Sequence, residues 1–183
     1  MLLNERKKLE GSARKKIITA LEVAGWYNGR NVDISPFEEY YNSHGLTMFE
    51  SSRNFFKEFY GIATRWAFTF KGNSEPTNAL NITFTFHLFP CDYDKYFGLP
   101  ADEYYNDEFK SEYCNAVQET AQQELNFIGK IGYYYPAFVW IDNNGKLYVM
   151  HDYNRTISTF NSIVELIERE LEQHDLDYVT VKL

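Results

Sequence analysis

Residues Leu80–Leu88 read LNITFTFHL, with Leu80, Ile82, Phe84, Phe86 and Leu88 alternating against Asn81, Thr83, Thr85 and His87. Nine residues of unbroken period-two alternation predict a strand with one buried and one wet face. Just upstream, in Thr64–Phe70, Trp66, Phe68 and Phe70 alternate with Arg65, Ala67 and Thr69 in the same way. The connector KGNSEPTN, residues 71–78, is rich in turn formers, so the two strands are expected to pair antiparallel.

Outward from this pair the period lengthens to that of helices. Ser12 to Ala24 carries Ala13, Ile17, Ala20, Leu21 and Ala24 at helical spacing, and Gly25 follows as a left-handed terminator. Ser35-Pro36-Phe37-Glu38 offers a capping hydroxyl, a proline at the first helical position and a glutamate three residues after the cap. That helix is expected to end by Gly45. Met48 to Tyr60 places Phe49, Phe56 and Tyr60 on one side and stops at Gly61.

Downstream, Pro90 to Asp107 reads as a tyrosine-rich acidic loop. Phe109, Tyr113, Ala116, Val117, Thr120, Ala121, Leu125 and Ile128 then mark an amphipathic helix of about four turns. Ala137–Asp142 and Leu147–His151 flank Asn143-Asn144-Gly145, a hairpin signal because Asn and Gly tolerate positive φ. A last helix is expected from Ser162 to His174, with Ile163, Val164, Ile167 and Leu171 inward, before alternation returns in Tyr178–Leu183. No repeat or linker breaks the chain. The expected architecture is a single α+β domain over residues 1–183, N-terminal helices followed by an antiparallel β-sheet with packed helices. Thr64–Phe70 and Tyr178–Leu183 are expected to be sheet edges open to pairing between chains. The oligomeric state is not legible.

With 183 residues, 44% hydrophobic and 24% charged, the chain can bury a core without disulfides or metal. Its 15 tyrosines cannot all be buried cheaply, since each hydroxyl needs a partner, which argues for some at a wet binding face. A net charge of −8 argues against nucleic acid and for a basic partner. The charge is uneven: Asp92 to Glu112 holds seven acidic and two basic residues, and Glu165 to Asp177 six and one. Arg6, Lys7, Lys8, Arg14, Lys15 and Lys16 reverse the sign at the amino end. Cys91 and Cys114 form no disulfide framework. No apolar run reaches the roughly 20 residues of a membrane span, and the start MLLNERKKLEG has charges where a signal peptide is apolar. The expected compartment is the cytoplasm.

Catalysis finds little support in the residues. His44, His87, His151 and His174 have no partner at metal-ligand spacing, and His151-Asp152 at a strand end is the best acid–base candidate. Glu165, Glu168 and Glu172 share a helix face but read as a solvated stripe. The glycines of GWYNGR, residues 25–30, lack the preceding strand and following Lys-Ser or Lys-Thr of a phosphate cradle. No enzyme activity, metal or cofactor is expected.

GWYNGR lies directly after the first helix end. Gly25, Trp26, Gly29, Arg30 and Asp33 therefore have two readings. Trp26 folds back over the helix junction with Arg30 forking onto Asp33 or a carboxylate of the next helix, a structural clasp. Alternatively Trp26 and Arg30 belong to a docking cleft, since Trp and Arg dominate binding energy. AGWYNGRNVDI, the following EYY, and FxxxxxFFKEFYGI together resemble the third subfamily of the SUKH superfamily of bacterial immunity proteins. LNFIGKIGYYYPAFVWIDNNGKLYVMHD and Asn161–Leu171 resemble that family's closing strands, D-x-x-G hairpin and final helix. The resemblance spans roughly Ile17 to Glu172. Two departures stand out: Cys91 to Asn106 is longer and richer in tyrosine, and Tyr133–Tyr135 replace a smaller glycine-containing turn.

The resemblance implies a SUKH-like fold and a cytoplasmic, non-catalytic protein that binds and blocks a cognate toxin domain, a nuclease or other nucleic-acid-modifying enzyme. A basic toxin cleft would complement this acidic chain. The expected toxin-facing residues are Tyr93, Tyr96, Tyr104 and Tyr105, with Asp94, Asp102, Glu103 and Asp107 supplying charge. A protein-interaction or regulatory adaptor of the same fold is the alternative.

Overall fold

The computed structural model describes residues 4–62, 65–70, 81–98, 100–172 and 174–182. Thr64, the connector at 71–78 and Leu183 lie outside them. The order along the chain is β1 (Asn4–Lys8), α1 (Ala13–Val23), α2 (Ser35–Ser43), α3 (Glu50–Phe59), β2 (Arg65–Phe70) and β3 (Asn81–Leu88). There follow α4 (Tyr93–Phe97), α5 (Ala101–Phe109), α6 (Glu112–Ala121), β4 (Asn126–Tyr133), β5 (Ala137–Ile141), β6 (Leu147–His151), β7 (Asn154–Phe160), α7 (Ile163–Glu170) and β8 (Leu176–Lys182).

The strands form one antiparallel sheet in the order β1-β8-β2-β3-β4-β5-β6-β7. β2 and β3 pair as expected, with Trp66 opposite Phe84 and Phe68 opposite Ile82. Their apolar faces carry the core: Trp66, Phe68, Phe84 and Phe86 are at most 1% exposed. Burying side chains of this size contributes roughly 1.5–3 kcal/mol each. Ile17, Leu21, Phe37, Phe56, Leu166 and Ile167 of α1, α2, α3 and α7 close this cluster from one side. A second cluster joins Trp140, Tyr148 and Phe127 of the sheet to Tyr93, Ala101 and Val117 of α4, α5 and α6. Hence β5 and β6 are apolar at successive positions: Val139 and Val149 face one cluster, Trp140 and Met150 the other.

Several expectations are corrected. β2 and β8 pair with one another inside the sheet, because charged β1 adds outside β8; the edges among the described residues are β1 and β7. The expected acidic loop contains α4 and α5. The expected helix from Phe109 to Ile128 is split: Phe109 closes α5, α6 ends at Ala121 before Gln122, whose φ is 53°, and Asn126 already begins β4. Ser35 is the first residue of α2 and not its cap: Ile34 holds the cap position with no side-chain cap bond, and the Asp33 carboxylate accepts from the Ser35 amide at 3.0 Å and from the Ser35 hydroxyl. In the β5–β6 turn only Gly145 takes a positive φ, 88°. The last helix stops at Glu170, short of His174. The whole is a single α+β domain.

Candidate functional site

GWYNGR is built on the end of α1. Gly25 N–H donates to Glu22 C=O and Trp26 N–H reaches back to Leu21 C=O at 2.9 Å, with Gly25 at φ 101°. This paired pattern requires a left-handed residue, which glycine adopts without steric cost. It turns the Trp26 side chain toward α3, where its indole N–H donates to Glu58 Oε1 at 2.9 Å. Arg30 donates to the Glu58 main-chain carbonyl at 2.9 Å, and Val32 N–H to the carbonyl of Lys57. Two side chains of one loop thus hold one residue at the last turn of α3. Arg30 does not fork onto Asp33, whose carboxylate is taken by Ser35 and thereby held below its ordinary pKa. Glu58 was not singled out from the sequence, because its partners lie 28 and 32 residues away.

Trp26 is half-buried, and it also walls a groove of about 530 Å³. The floor is apolar, with Leu21, Phe55, Phe59 and Ile163; the rim carries Glu50, Asn54, Asn143, Asn144 and Asn161. The segments that carried the family resemblance therefore meet here: the loop after α1, the α3 face, the hairpin turn and the start of α7. Two buried polar side chains fix its walls. Asp142, 2% exposed, accepts from the amides of Asn144 (2.8 Å) and Lys146 (2.9 Å) and from Gln123 Nε2 (2.9 Å). Asn126 accepts from Phe49 N–H at 2.8 Å at the start of α3 and donates to Thr47 C=O. Both satisfy backbone groups that burial would otherwise penalise.

The expected toxin-facing residues divide. Tyr93 is fully buried, packed edge-on against Phe89 and Phe127, so it offers no surface contact; this corrects its assignment. Asp92, also buried, accepts from Leu88 N–H at 3.1 Å, and burial pushes its carboxyl up to about 6. Asp102 and Glu103 are exposed at the start of α5, and Asp102 pairs with His44 at 3.3 Å. Tyr104 and Tyr105 are half-buried, Tyr104 against Tyr93 and Tyr105 against Phe109. Asp94, Tyr96 and Asp107 lie on α4 and α5, with side chains outside the described set.

His151, the acid–base candidate, is not paired with Asp152. Its Nε2 meets Glu170 Oε1 at 2.9 Å, with only 19% and 11% of the two side chains exposed. The hydrogen bond to Glu170 raises the imidazole pKa above its ordinary value, against the opposing effect of burial. Among the described residues no group of three or more His, Cys, Asp or Glu is placed to hold a metal ion, and no helix is long and apolar enough to cross a membrane. Cys114 is buried and Cys91 partly so.

The family model described as SUKH-3 immunity protein matches residues 13–169. Comparison with curated proteins and with solved structures gave no match.

Proposed function

Since the chain belongs to the SUKH-3 immunity protein family, we propose that it binds a cognate toxin domain in the cytoplasm and neutralises it by occlusion, with no bond made or broken. The family match over residues 13–169 carries this reading. Two surfaces support it. The groove walled by Trp26 gathers four separate segments around an apolar floor and an amide-rich rim, a combination suited to an inserted loop or helix end of a partner. The start of α5 presents Asp102 and Glu103 to solvent beside the half-buried rings of Tyr104 and Tyr105.

The net charge of −8 favours a toxin with a basic substrate cleft, as nucleases have for phosphate. Opposite polarity speeds encounter, and a stable complex needs about 800 Å² from each partner. In this reading Gly25, Trp26, Gly29, Arg30 and Asp33 form the clasp that holds the groove wall, and Trp26 also faces the partner.

The test is co-expression with a cognate toxin domain. Growth is expected to be restored by this protein and by no unrelated acidic protein. Continued killing at equal expression would refute the reading, and a stable complex that leaves toxin activity intact would favour an adaptor.

A further inference from the structure

Among the described residues five large apolar side chains are exposed, and three of them meet at one place: Tyr134 (84%), Tyr135 (56%) and Tyr153 (68%). Their rings touch in series. Tyr134 meets Tyr135 edge-on with centroids 4.6 Å apart, Tyr135 meets Tyr153 at 6.1 Å, and Tyr153 stacks on His151 at 4.9 Å. Tyr134 holds φ at 59°, a conformation that a bulky residue rarely adopts, so an exposed ring is kept at a position where glycine would be less strained. Beneath the rings the His151–Glu170 pair fixes the floor of a cleft of about 620 Å³. Next to it Tyr113, Tyr135 and Tyr153 surround Asp152 in a pocket of about 370 Å³.

The cations nearby are already engaged. Arg155 binds Glu112 at 2.9 Å and lies 5.2 Å from the Tyr113 ring, and Arg169 is paired with Glu172. Exposed Asp152 stands among tyrosine faces whose negative quadrupoles attract a cation. Arg155 over Tyr113 shows the same chemistry at the pocket wall.

We propose that the pocket of Tyr135, Tyr153 and Asp152 receives an arginine or lysine side chain of the toxin. This rests on the immunity reading and names the partner's chemistry at a surface apart from the Trp26 groove. The cation packs against the Tyr135 and Tyr153 rings while its charge meets the Asp152 carboxylate, and the cost of removing it from water is offset by both.

The experiment titrates a cognate toxin domain with wild-type protein and with three exposed-surface variants, each first checked for an unchanged melting temperature. Tyr135→Ala/Tyr153→Ala is expected to weaken binding about tenfold or more, and Asp152→Asn about threefold to tenfold. Tyr135→Phe/Tyr153→Phe keeps the ring faces and is expected to bind nearly as wild type. Wild-type affinity in the double alanine variant would overturn this proposal while leaving the immunity reading intact. A binding loss on the tyrosines with none for Asp152→Asn would overturn the cation assignment. Failure of the wild-type protein to bind the toxin at all would overturn both.

Discussion

Replacing Trp26 by phenylalanine removes one defined interaction, the indole N–H to Glu58 bond at 2.9 Å, and trims a half-buried ring. A hydrogen bond to a charged acceptor contributes about 1.5–3 kcal/mol net, and partial exposure places this one near the lower end. With a smaller packing loss, Trp26→Phe is expected to cost about 2 kcal/mol. For a chain of this size that lowers the melting temperature by roughly 4–8 °C. Glu58→Ala removes the same acceptor but leaves Arg30 its bond, because Arg30 uses the Glu58 main-chain carbonyl. The two single variants and the double variant therefore form a cycle in which about 1 kcal/mol of coupling is expected. The assay is urea unfolding followed by far-ultraviolet circular dichroism, since removing a tryptophan changes fluorescence for trivial reasons. Additive effects, with Trp26→Phe within about 0.5 kcal/mol of wild type, would refute the clasp. If toxin binding then fell at unchanged stability, Trp26 would be a contact residue alone.

Three further outcomes follow from the charges. Asp92→Asn is expected to stabilise the protein by about 1–3 kcal/mol above pH 6, because burial raises the native carboxyl from 3.8 to about 6 and makes its charged form costly. Between those values the native state binds more protons than the unfolded chain, so wild-type stability falls as pH rises while the variant lacks that slope; equal slopes in urea titrations at several pH values would contradict this. His151 is raised by Glu170, so the stability of that pair is full below the unfolded value of 6.5 and is lost as pH climbs through the higher native value. His151→Gln should flatten the stability–pH curve above 6.5, and an unaltered curve would remove the pair from the account. Asp102→Lys/Glu103→Lys is expected to weaken toxin binding about tenfold, mostly through a slower association rate that loses its salt dependence; an unchanged rate would exclude α5 from the interface.

How far the sequence revealed the fold depended on whether burial left a period. β3 is apolar on one face and wet at Thr83 on the other, so alternation announces it. β4 is buried on both faces for most of its length, and Gly129 and Gly132 interrupt any pattern. Gly129 is required there: a Cβ would lie 2.1 Å from the His87 carbonyl oxygen across the β3–β4 ladder. β7 fails for the opposite reason, since most of Asn154–Phe160 is exposed and no apolar face shows. β1, NERKK, looks like a solvated basic arm and becomes a strand only because β8 offers it a partner 170 residues away; its charges suit an edge that must resist further pairing.

The candidate site was legible in its loop and not in its partners. The Gly25 terminator and the direction of Trp26 follow from local helix-end chemistry, whereas Glu58 and Glu170 acquire their roles through contacts between distant segments. Tyr93 looked like a surface anchor because it sits among acids. The structure instead buries it under α5, where its ring completes the second core cluster.

The most direct test of neutralisation by occlusion is a titration of a cognate toxin's activity with this protein at toxin concentrations well above the dissociation constant. Occlusion predicts a linear fall in activity that reaches its end point at one protein per toxin domain and is reversed when the complex is separated. Full inactivation by a small fraction of an equivalent, with a chemically altered toxin recovered afterwards, would contradict it.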